Sequence, residues 1–480
     1  MPGITRYGSY IPYSRLQRSA IGAGKGARAA ASYDEDAVSM AVEACREALA
    51  TSDGSKRLEG ARSEPQANEG STELDALIFA TTSPPYAEKQ NAATIHAALG
   101  LPDAVRTVEV GASSRAGVSS LMLGLDLAAA GQRVLVAAAD VVIGAPGGPR
   151  ETQGGDAAVG FITGPDDDAI AVLRGRASST TEVLDVWRLP EDRFAKQWEE
   201  RFGAEVLAPV LHDTVVRALE DAGTQPSEIA TVILDATLAR AAAGLPRALQ
   251  LKPEQLADPL ATSVGRAGAA HAGLLLARAL DAAKPGDRIL VASLADGCDV
   301  VVLEATGRIA EGRPAHSVDA WIASQRDDLP YNAYLKWRGI LPFEPPRRPE
   351  PDRPAAPPMH RHERWKLGFV GSRCTECGAS QLPPQRVCSS CGAVDEMRDE
   401  PFSKQACKIA TYTLDHLAYS LQPPVVAAVL DFEGGGRLAC ELTDVNPADV
   451  AIGDELEMTF RRLYTGQGVH NYFWKARPRR

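Results

Sequence analysis

The stretch Val105–Asp140, VRTVEVGASSRAGVSSLMLGLDLAAAGQRVLVAAAD, decides the fold. It opens on a short β-prone run, Val105–Val110, and passes through Arg115-Ala116-Gly117 into Gly117–Ala130, a helix-length segment of small residues. It closes on Val134–Ala139, apolar at every position, as in a strand buried on both faces of a sheet. Leu74–Thr82 (LDALIFATT) upstream and Ala157–Thr163 (AAVGFIT) downstream add two more strand-like runs. The same order then returns. Ile229–Thr237 (IATVILDAT) answers LDALIFATT, and the helix after Arg266-Ala267-Gly268 answers the helix after Arg115-Ala116-Gly117. Ile289–Leu294 (ILVASL) with Asp296 answers VLVAAA with Asp140, and Gly297-Cys298-Asp299 with VVVLEA answers Gly155-Asp156 with AAVGFIT. A period of roughly 150 residues is far longer than that of solenoid repeats. Two copies of a βαβα unit, each too incomplete to bury both faces of its sheet, imply a pseudo-symmetric layered α/β domain.

Outside the repeat the composition shifts twice. Thr51–Thr72 is polar and Gly-containing and reads as an exposed insertion. Pro342–Pro358 is rich in Pro and Arg and reads as a stiff linker. The expected organisation is an α/β domain over 1–340, with half-repeats of about 1–165 and 166–310. A linker over 341–358, a metal-binding ribbon over 359–400 and a small barrel over 401–480 follow. Asp36 is placed to cap a helix on which Val38, Val42, Cys45 and Leu49 share one face. Phe194, Trp198 and Phe202 recur every four residues, which suggests a packing stripe.

The 480 residues carry 51 basic and 62 acidic side chains, a net charge of −11, which argues against general nucleic-acid binding. No apolar run approaches the roughly 18 to 20 residues of a membrane span, and Met1–Ala20 has no signal-peptide core. A cytoplasmic protein without membrane association is expected, so the eight cysteines are not expected to form disulfides.

Four of those cysteines have another use. Cys374-x-x-Cys377 and Cys388-x-x-Cys391, ten residues apart, are two knuckles that can wrap one tetrahedral Zn²⁺. Four protein ligands leave no open position, so the expected ion is structural. Cys45, Cys298, Cys407 and Cys440 read as small apolar residues. Beyond the knuckles, Ala406–Leu414, Pro424–Phe432, Arg437–Leu442, Glu455–Arg461 and Asn471–Lys475 are strand-like, and five short strands suggest a closed barrel of OB type. With Pro383-Pro384-x-x-x-Cys388 and Asn471-Tyr472-Phe473-Trp474-Lys475, residues 359–480 resemble the zinc-ribbon OB-fold proteins that accompany thiolase-like enzymes.

The remainder carries a second resemblance. Gly8-Ser9-Tyr10-Ile11-Pro12, Tyr33-Asp34-Glu35-Asp36 and Thr82-Ser83-Pro84-Pro85-Tyr86-Ala87-Glu88-Lys89-Gln90 look like the archaeal-type hydroxymethylglutaryl-CoA synthases of the thiolase superfamily. That resemblance spans most of residues 3–310. It implies a duplicated five-layer thiolase-like α/β fold, an acyl-CoA substrate and a homodimer paired through the central sheets. It also implies three catalytic groups: a nucleophilic cysteine at a helix N-terminus, a glutamate acting as general acid/base, and a histidine at the thioester. The matching positions hold Ser114, Thr82 and Asp235.

All three groups are replaced, and a serine without an adjacent base is a poor nucleophile. A helix N-terminus can still stabilise a thioester enolate without a covalent step. The candidate catalytic residues are therefore Ser114, Asp235, His271, Tyr86 and Glu88, with Thr82 and Cys298 near the same pocket. The leading expectation is a (retro-)aldolase on a 3-hydroxyacyl-CoA, giving a short acyl-CoA plus a ketone or aldehyde. One alternative is a synthase-like acyltransferase or condensing enzyme. Another is a silent acyl-CoA-binding scaffold, which the joint loss of three groups would also produce. An open pocket with His271 or Asp235 facing Ser114 favours an enzyme, whereas one filled by apolar side chains favours a scaffold.

Overall fold

The repeat is written into the pairing of the main sheet of the computed structural model, which describes residues 1–50, 74–344 and 355–480. The expected insertion and most of the expected linker lie outside the described residues. Nine strands form the sheet: β1 (Gly3–Tyr10), β2 (Ala76–Ala80), β3 (Arg106–Val110), β4 (Val134–Asp140), β5 (Ala157–Gly164), β6 (Ala171–Thr180), β7 (Ile229–Ala236), β8 (Arg288–Leu294) and β9 (Gly297–Ala305). Their order is β7-β8-β9-β6-β1-β5-β4-β2-β3. In one half β1 runs antiparallel to β5, β5 antiparallel to β4, and β4 parallel to β2. In the other β6, β9, β8 and β7 pair with the same three senses. The halves join where Gly3 and Ile4 of β1 face Val172 and Ala171 of β6. β4 and β5 are buried along their whole length, as a continuous apolar run requires when both faces are covered.

Four helices complete the layers: α1 (Ala37–Leu49) and α3 (Glu200–Asp221) outside, α2 (Ala116–Ala129) and α4 (His271–Ala282) between the halves. α1 starts where expected. The Asp36 carboxylate accepts from the Ser39 N–H and the Ser39 hydroxyl accepts from the Asp36 N–H, both at 2.9 Å, which satisfies two end groups of the helix. Val38, Val42, Cys45 and Leu49 are buried. The two inner helices begin unusually close together. A Cβ at Gly117 would stand 1.9 Å from the Ala269 carbonyl oxygen, and Gly268, at φ +52°, has room for none beside the Asp140 carboxylate. Only glycine fits either place.

The aromatic stripe is a correction. α3 begins at Glu200, so Trp198 lies before the helix and helical spacing does not apply to it. Trp198 and Phe202 stack on each other at 6.5 Å, but they are 37% and 53% exposed.

The C-terminal region carries a three-stranded ribbon, β10 (Val370–Cys374), β11 (Ser380–Gln381) and β12 (Met397–Pro401). A five-stranded sheet follows: β13 (Cys407–Asp415), β14 (Val425–Phe432), β15 (Arg437–Glu441), β16 (Glu455–Gly466) and β17 (Val469–Pro478), in the order β15-β14-β13-β16-β17. The Thr443 N–H, just past β15, donates to the Ala476 carbonyl on β17 at 2.9 Å and brings the two edges together.

This sheet is joined to the α/β region by buried charge. Arg461 meets Glu35, and reaches Asp444 at 2.7 Å and the Tyr10 hydroxyl at 3.2 Å. Lys475 bridges Asp34 at 3.0 Å and Glu441 at 2.7 Å, and Arg477 bridges Glu43 at 2.9 Å and Glu457 at 2.8 Å. Arg461, Lys475, Arg477, Asp34, Glu35, Glu43 and Asp444 are all at most 5% exposed at the side chain. Removing one partner of such a set leaves an uncompensated buried charge, which costs about 3–5 kcal/mol. Arg461→Ala is expected to lose about that much in urea denaturation followed by circular dichroism, whereas Arg437→Ala, whose Asp431 pair is solvent-exposed, changes stability by less than about 1 kcal/mol.

Candidate functional site

A cavity of about 230 Å³ opens between the two repeats. Its walls come from the turn Ala112–Ser114, the short helix Pro149–Gln153, the ribbon at Asp185–Arg188, Thr237, Arg266 and Ala295–Asp296. The turn is strained: Ala112 sits at φ +75°, a conformation that non-glycine residues seldom hold away from functional sites. It delivers Ser114 to the start of α2.

Ser114 has a cation beside it and no base. Its Oγ accepts a hydrogen bond from Arg266 Nη2 at 3.1 Å, and Arg266 Nε donates to Asp235 Oδ1 at 2.7 Å. Ser293 Oγ donates to the other oxygen of Asp235 at 3.4 Å. Asp235 therefore stands behind Arg266, buried, and meets Ser114 only through the guanidinium. Because Ser114 accepts from Arg266, its own hydroxyl proton is free to point elsewhere.

Thr82 lines the cavity, yet its hydroxyl donates to Asp140 at 2.8 Å. Asp140 is fully buried and also accepts from the Thr81 and Ser83 hydroxyls and from the N–H groups of Thr82 and Ala269. It ties β4, the loop after β2 and the start of α4 together, and holds Thr82 away from proton transfer.

The other candidates lie elsewhere. Tyr86 faces the C-terminal hairpin: its hydroxyl accepts from the His470 N–H at 2.7 Å, and the rings meet at 4.6 Å. Glu88 is exposed on the same loop. The loop turns outward because Asn91, at the head of the next helix, is pinned by the Glu109 carboxylate. His271, the first residue of α4, is buried behind the cavity wall, with Nδ1 unpartnered among the described residues. Cys298 is buried on β9, and burial pushes its thiol up to about 12, so it supplies no thiolate. Ser114 and Asp235 are thus brought together through Arg266, while Asp235, Tyr86, Glu88 and His271 are not part of the cavity lining.

Three lining residues escaped the sequence reading. Arg266 was visible as part of a motif, but only as a marker of the repeat. Asp185 lies just before a two-residue strand and Arg150 on a five-residue helix, segments too short to carry a pattern. Asp185 accepts from the Thr237 hydroxyl and from the Val186 N–H, and burial raises its carboxyl above the usual carboxylate range.

In the C-terminal region the sulfurs of Cys374, Cys377, Cys388 and Cys391 lie within 4.8 Å of one another. The Ser390 and Cys391 N–H groups point at the Cys388 sulfur at 3.4 and 3.5 Å. Both knuckles end on a glycine in the left-handed region, Gly378 at φ +74° and Gly392 at +78°. No helix is long and apolar enough to cross a membrane among the described residues.

With this geometry in hand, the comparisons with known proteins are specific. Residues 367–396 match the family described as ChsH2, rubredoxin-like zinc ribbon domain, and residues 402–461 match ChsH2, C-terminal OB-fold domain. Hydroxymethylglutaryl-CoA synthase of Aeropyrum pernix is 28% identical over 356 residues, 71% of this chain and 94% of that one. The enzyme of the same name from Pyrococcus furiosus is 27% identical over 70% and 95% of the two chains. A DUF35 domain-containing scaffold protein of Methanocaldococcus jannaschii is 32% identical over 123 residues, 25% of this chain and 86% of its own. Among solved structures, a hydroxymethylglutaryl-CoA synthase complexed with CoA superposes with a TM-score of 0.57 at 17% identity, covering 70% of this chain and 89% of the other. The 3-oxoacyl-(acyl carrier protein) synthase III of Pseudomonas aeruginosa superposes at 0.54 and 19%, covering 64% and 98%. The fold and the four-cysteine unit thus define a thiolase-like α/β protein with a zinc ribbon and an OB-fold at its C-terminus. Over about 70% of its length the chain is similar to hydroxymethylglutaryl-CoA synthases, and its C-terminal unit belongs to the DUF35 family.

Burial of His271 has a measurable consequence. It pulls the imidazole from its ordinary 6.5 down to about 4, against the opposing pull of Asp235. The unfolded chain then takes up a proton between those values that the folded chain refuses, so stability is lost as pH falls from 6.5 toward 4. The loss is about 3 kcal/mol. Urea denaturation of His271→Leu between pH 6.5 and 4.5 is expected to show a flatter loss of stability than the unsubstituted protein.

Proposed function

We propose that this chain is a condensing enzyme that makes or breaks a carbon–carbon bond next to an acyl-CoA thioester without forming an acyl-enzyme. One observation carries the reading: Arg266 bridges Ser114 and Asp235, the positions to which the resemblance assigns a cysteine and a histidine, and sets a cation beside a hydroxyl. A guanidinium cannot take the serine proton, so Ser114 is not activated as a nucleophile. Together, however, the two groups form a pair of donors for an enolate oxygen. Asp185, its carboxyl raised by burial, is the base of the same cavity. In the forward direction it takes the α-proton of the acyl-CoA, the enolate carbon attacks a ketone or aldehyde, and the alkoxide takes the proton back. Cleavage of a 3-hydroxyacyl-CoA follows the same steps reversed, which is the aldolase chemistry expected above. The names of the related synthases support the condensing direction.

Two other readings each have an observation behind them. Acyl transfer through Ser114 is favoured by its position at the start of α2. A scaffold role is favoured by the description of the Methanocaldococcus relative. The edge strand β3, with Val108 40% exposed, offers a surface for the homodimer.

The deciding experiment incubates the purified chain with 3-hydroxyacyl-CoA esters, including tertiary and aryl-bearing β-carbons, and in the other direction with short acyl-CoA plus ketones. Mass spectrometry follows products and covalent adducts. Turnover with no protein adduct is expected, together with a loss of about 10²- to 10⁴-fold in Asp185→Asn. An acyl adduct on Ser114 would replace this mechanism by acyl transfer. Binding without turnover would leave the scaffold.

The four cysteines are proposed to hold one structural Zn²⁺, which closes the ribbon and supplies no chemistry to the cavity. Elemental analysis is expected to find one zinc per chain. Cys388→Ser should lose the ion and lower the thermal midpoint, because metal binding and folding of such a ribbon are linked.

A further inference from the structure

A second cavity, of about 440 Å³, lies on the seam between the α/β region and the C-terminal sheet, and it shares no lining residue with the first. One side comes from the end of α1 and from the helix Val318–Ala323, the other from the loop before β13, from β16 and from the residue after β17. Several of its charges are matched. Arg46 meets Glu43 at 2.9 Å, and Arg477 lies between Glu43 and Glu457 at 2.9 and 2.8 Å. Three polar atoms of the lining residues are not. Glu47 Oε1 is taken by His316 Nδ1 at 2.9 Å, but Glu47 Oε2 is buried without a partner among the described residues. The Gln405 amide nitrogen donates to the Pro401 carbonyl at 3.2 Å, and its Oε1 is likewise buried and unpartnered. Trp321, 1% exposed, has no acceptor for its indole N–H. Arg479, exposed, also lines the cavity, and its side chain makes no hydrogen bond or ion pair among the described residues. Two acceptors, one N–H and one cation left over at the same cavity outline a molecule that carries the opposite groups.

We propose that this second cavity binds an α-amino acid with an apolar side chain. The ammonium group donates to Glu47 Oε2 and Gln405 Oε1, two acceptors that call for one group with several hydrogens. The carboxylate accepts from the Trp321 N–H and from Arg479, a charge-assisted pairing. The side chain lies against Leu49 and Met458, which are 6% and 1% exposed and give the lining its apolar part. An acid alone leaves the Glu47 and Gln405 oxygens unpaired, and an amine alone leaves Trp321 and Arg479 unpaired, whereas a zwitterion answers both. The site is independent of the acyl-CoA reading. Glu47 and Trp321 belong to the α/β region, and Gln405, Met458 and Arg479 to the C-terminal region. The ligand therefore bridges the seam and adds to the buried charge that joins its two sides.

The test is calorimetric titration of the full chain with L-leucine, L-valine, L-methionine and L-phenylalanine, and with L-lysine and L-aspartate, each up to about 10 mM. The tightest of the four apolar amino acids is then compared with its decarboxylated amine and its deaminated acid. It is expected to bind at least about tenfold more tightly than either counterpart and than lysine or aspartate, and to raise the thermal midpoint of the chain. Arg479→Gln, at an exposed position where replacement does not endanger the fold, should weaken it at least about tenfold. Trp321→Phe, which keeps an aromatic ring and removes the N–H, should weaken it as well. Equal binding of the amine or of the acid would overturn the zwitterion, and equal binding of lysine or aspartate would overturn the apolar seat. Affinity unchanged in both variants would place the ligand elsewhere and overturn the site. Neither heat nor a midpoint shift from any of the four apolar amino acids would overturn the proposal outright.

Discussion

Everything at the cavity depends on how closely the two inner helices begin. The Gly117 Cα lies against the Ala269 carbonyl, and Gly268 lies against Asp140, with no room for a side chain at either glycine. That approach brings Ser114, from one repeat, within 3.1 Å of Arg266, from the other. Asp140 fixes it from below by accepting from the Ala269 N–H and from three hydroxyls of the loop after β2. A buried carboxylate is tolerated there because hydrogen bonds replace its lost hydration. The site is thus assembled from two half-folds that meet at their tightest point.

The C-terminal sheet is attached by a different principle. Its contact with α1 and β1 is ionic and buried, with Arg461, Lys475 and Arg477 set among Asp34, Glu35, Glu43 and Asp444. Apolar packing of equal shape could serve stability as well. What buried charge adds is register, since each cation accepts only one set of partners. Register matters here because the same sheet holds the loop after β2. His470, on β17, clasps Tyr86 a few residues beyond Thr82. Misplacing the barrel would shift that loop and with it one wall of the cavity.

The fold was largely legible in the sequence because it is built from runs whose pattern has one cause. Val134–Ala139 is apolar throughout, since both of its faces are covered, and Asp36 with Ser39 is a local cap that needs no tertiary help. The repeated Arg-Ala-Gly was legible for the same reason: only glycine fits at Gly117 and Gly268. The site was legible only where a motif position is also a geometric position, as at Ser114 and Asp235. Tyr86 was drawn to the cavity by its neighbours in the chain, but its partner, His470, is 384 residues away. Arg150, on a five-residue helix, and Asp185, beside a two-residue strand, sit in segments too short for any periodicity to mark a side chain as facing inward.

The charged groups beside Ser114 are chemically consistent with one another. Without Arg266, the Asp235 side chain, 1% exposed, would be a buried and unpaired negative charge. Together they neutralise each other at 2.7 Å and leave the outer face of the guanidinium to Ser114 and the cavity. A pocket that had merely lost its function would be free to fill with apolar side chains, which pack at no electrostatic cost. This one stays open, lined by three arginines and two aspartates, and the side chain of one of those arginines, Arg150, has no hydrogen bond or ion pair among the described residues. An open lining with charges of both signs fits a polar occupant better than an apolar fill.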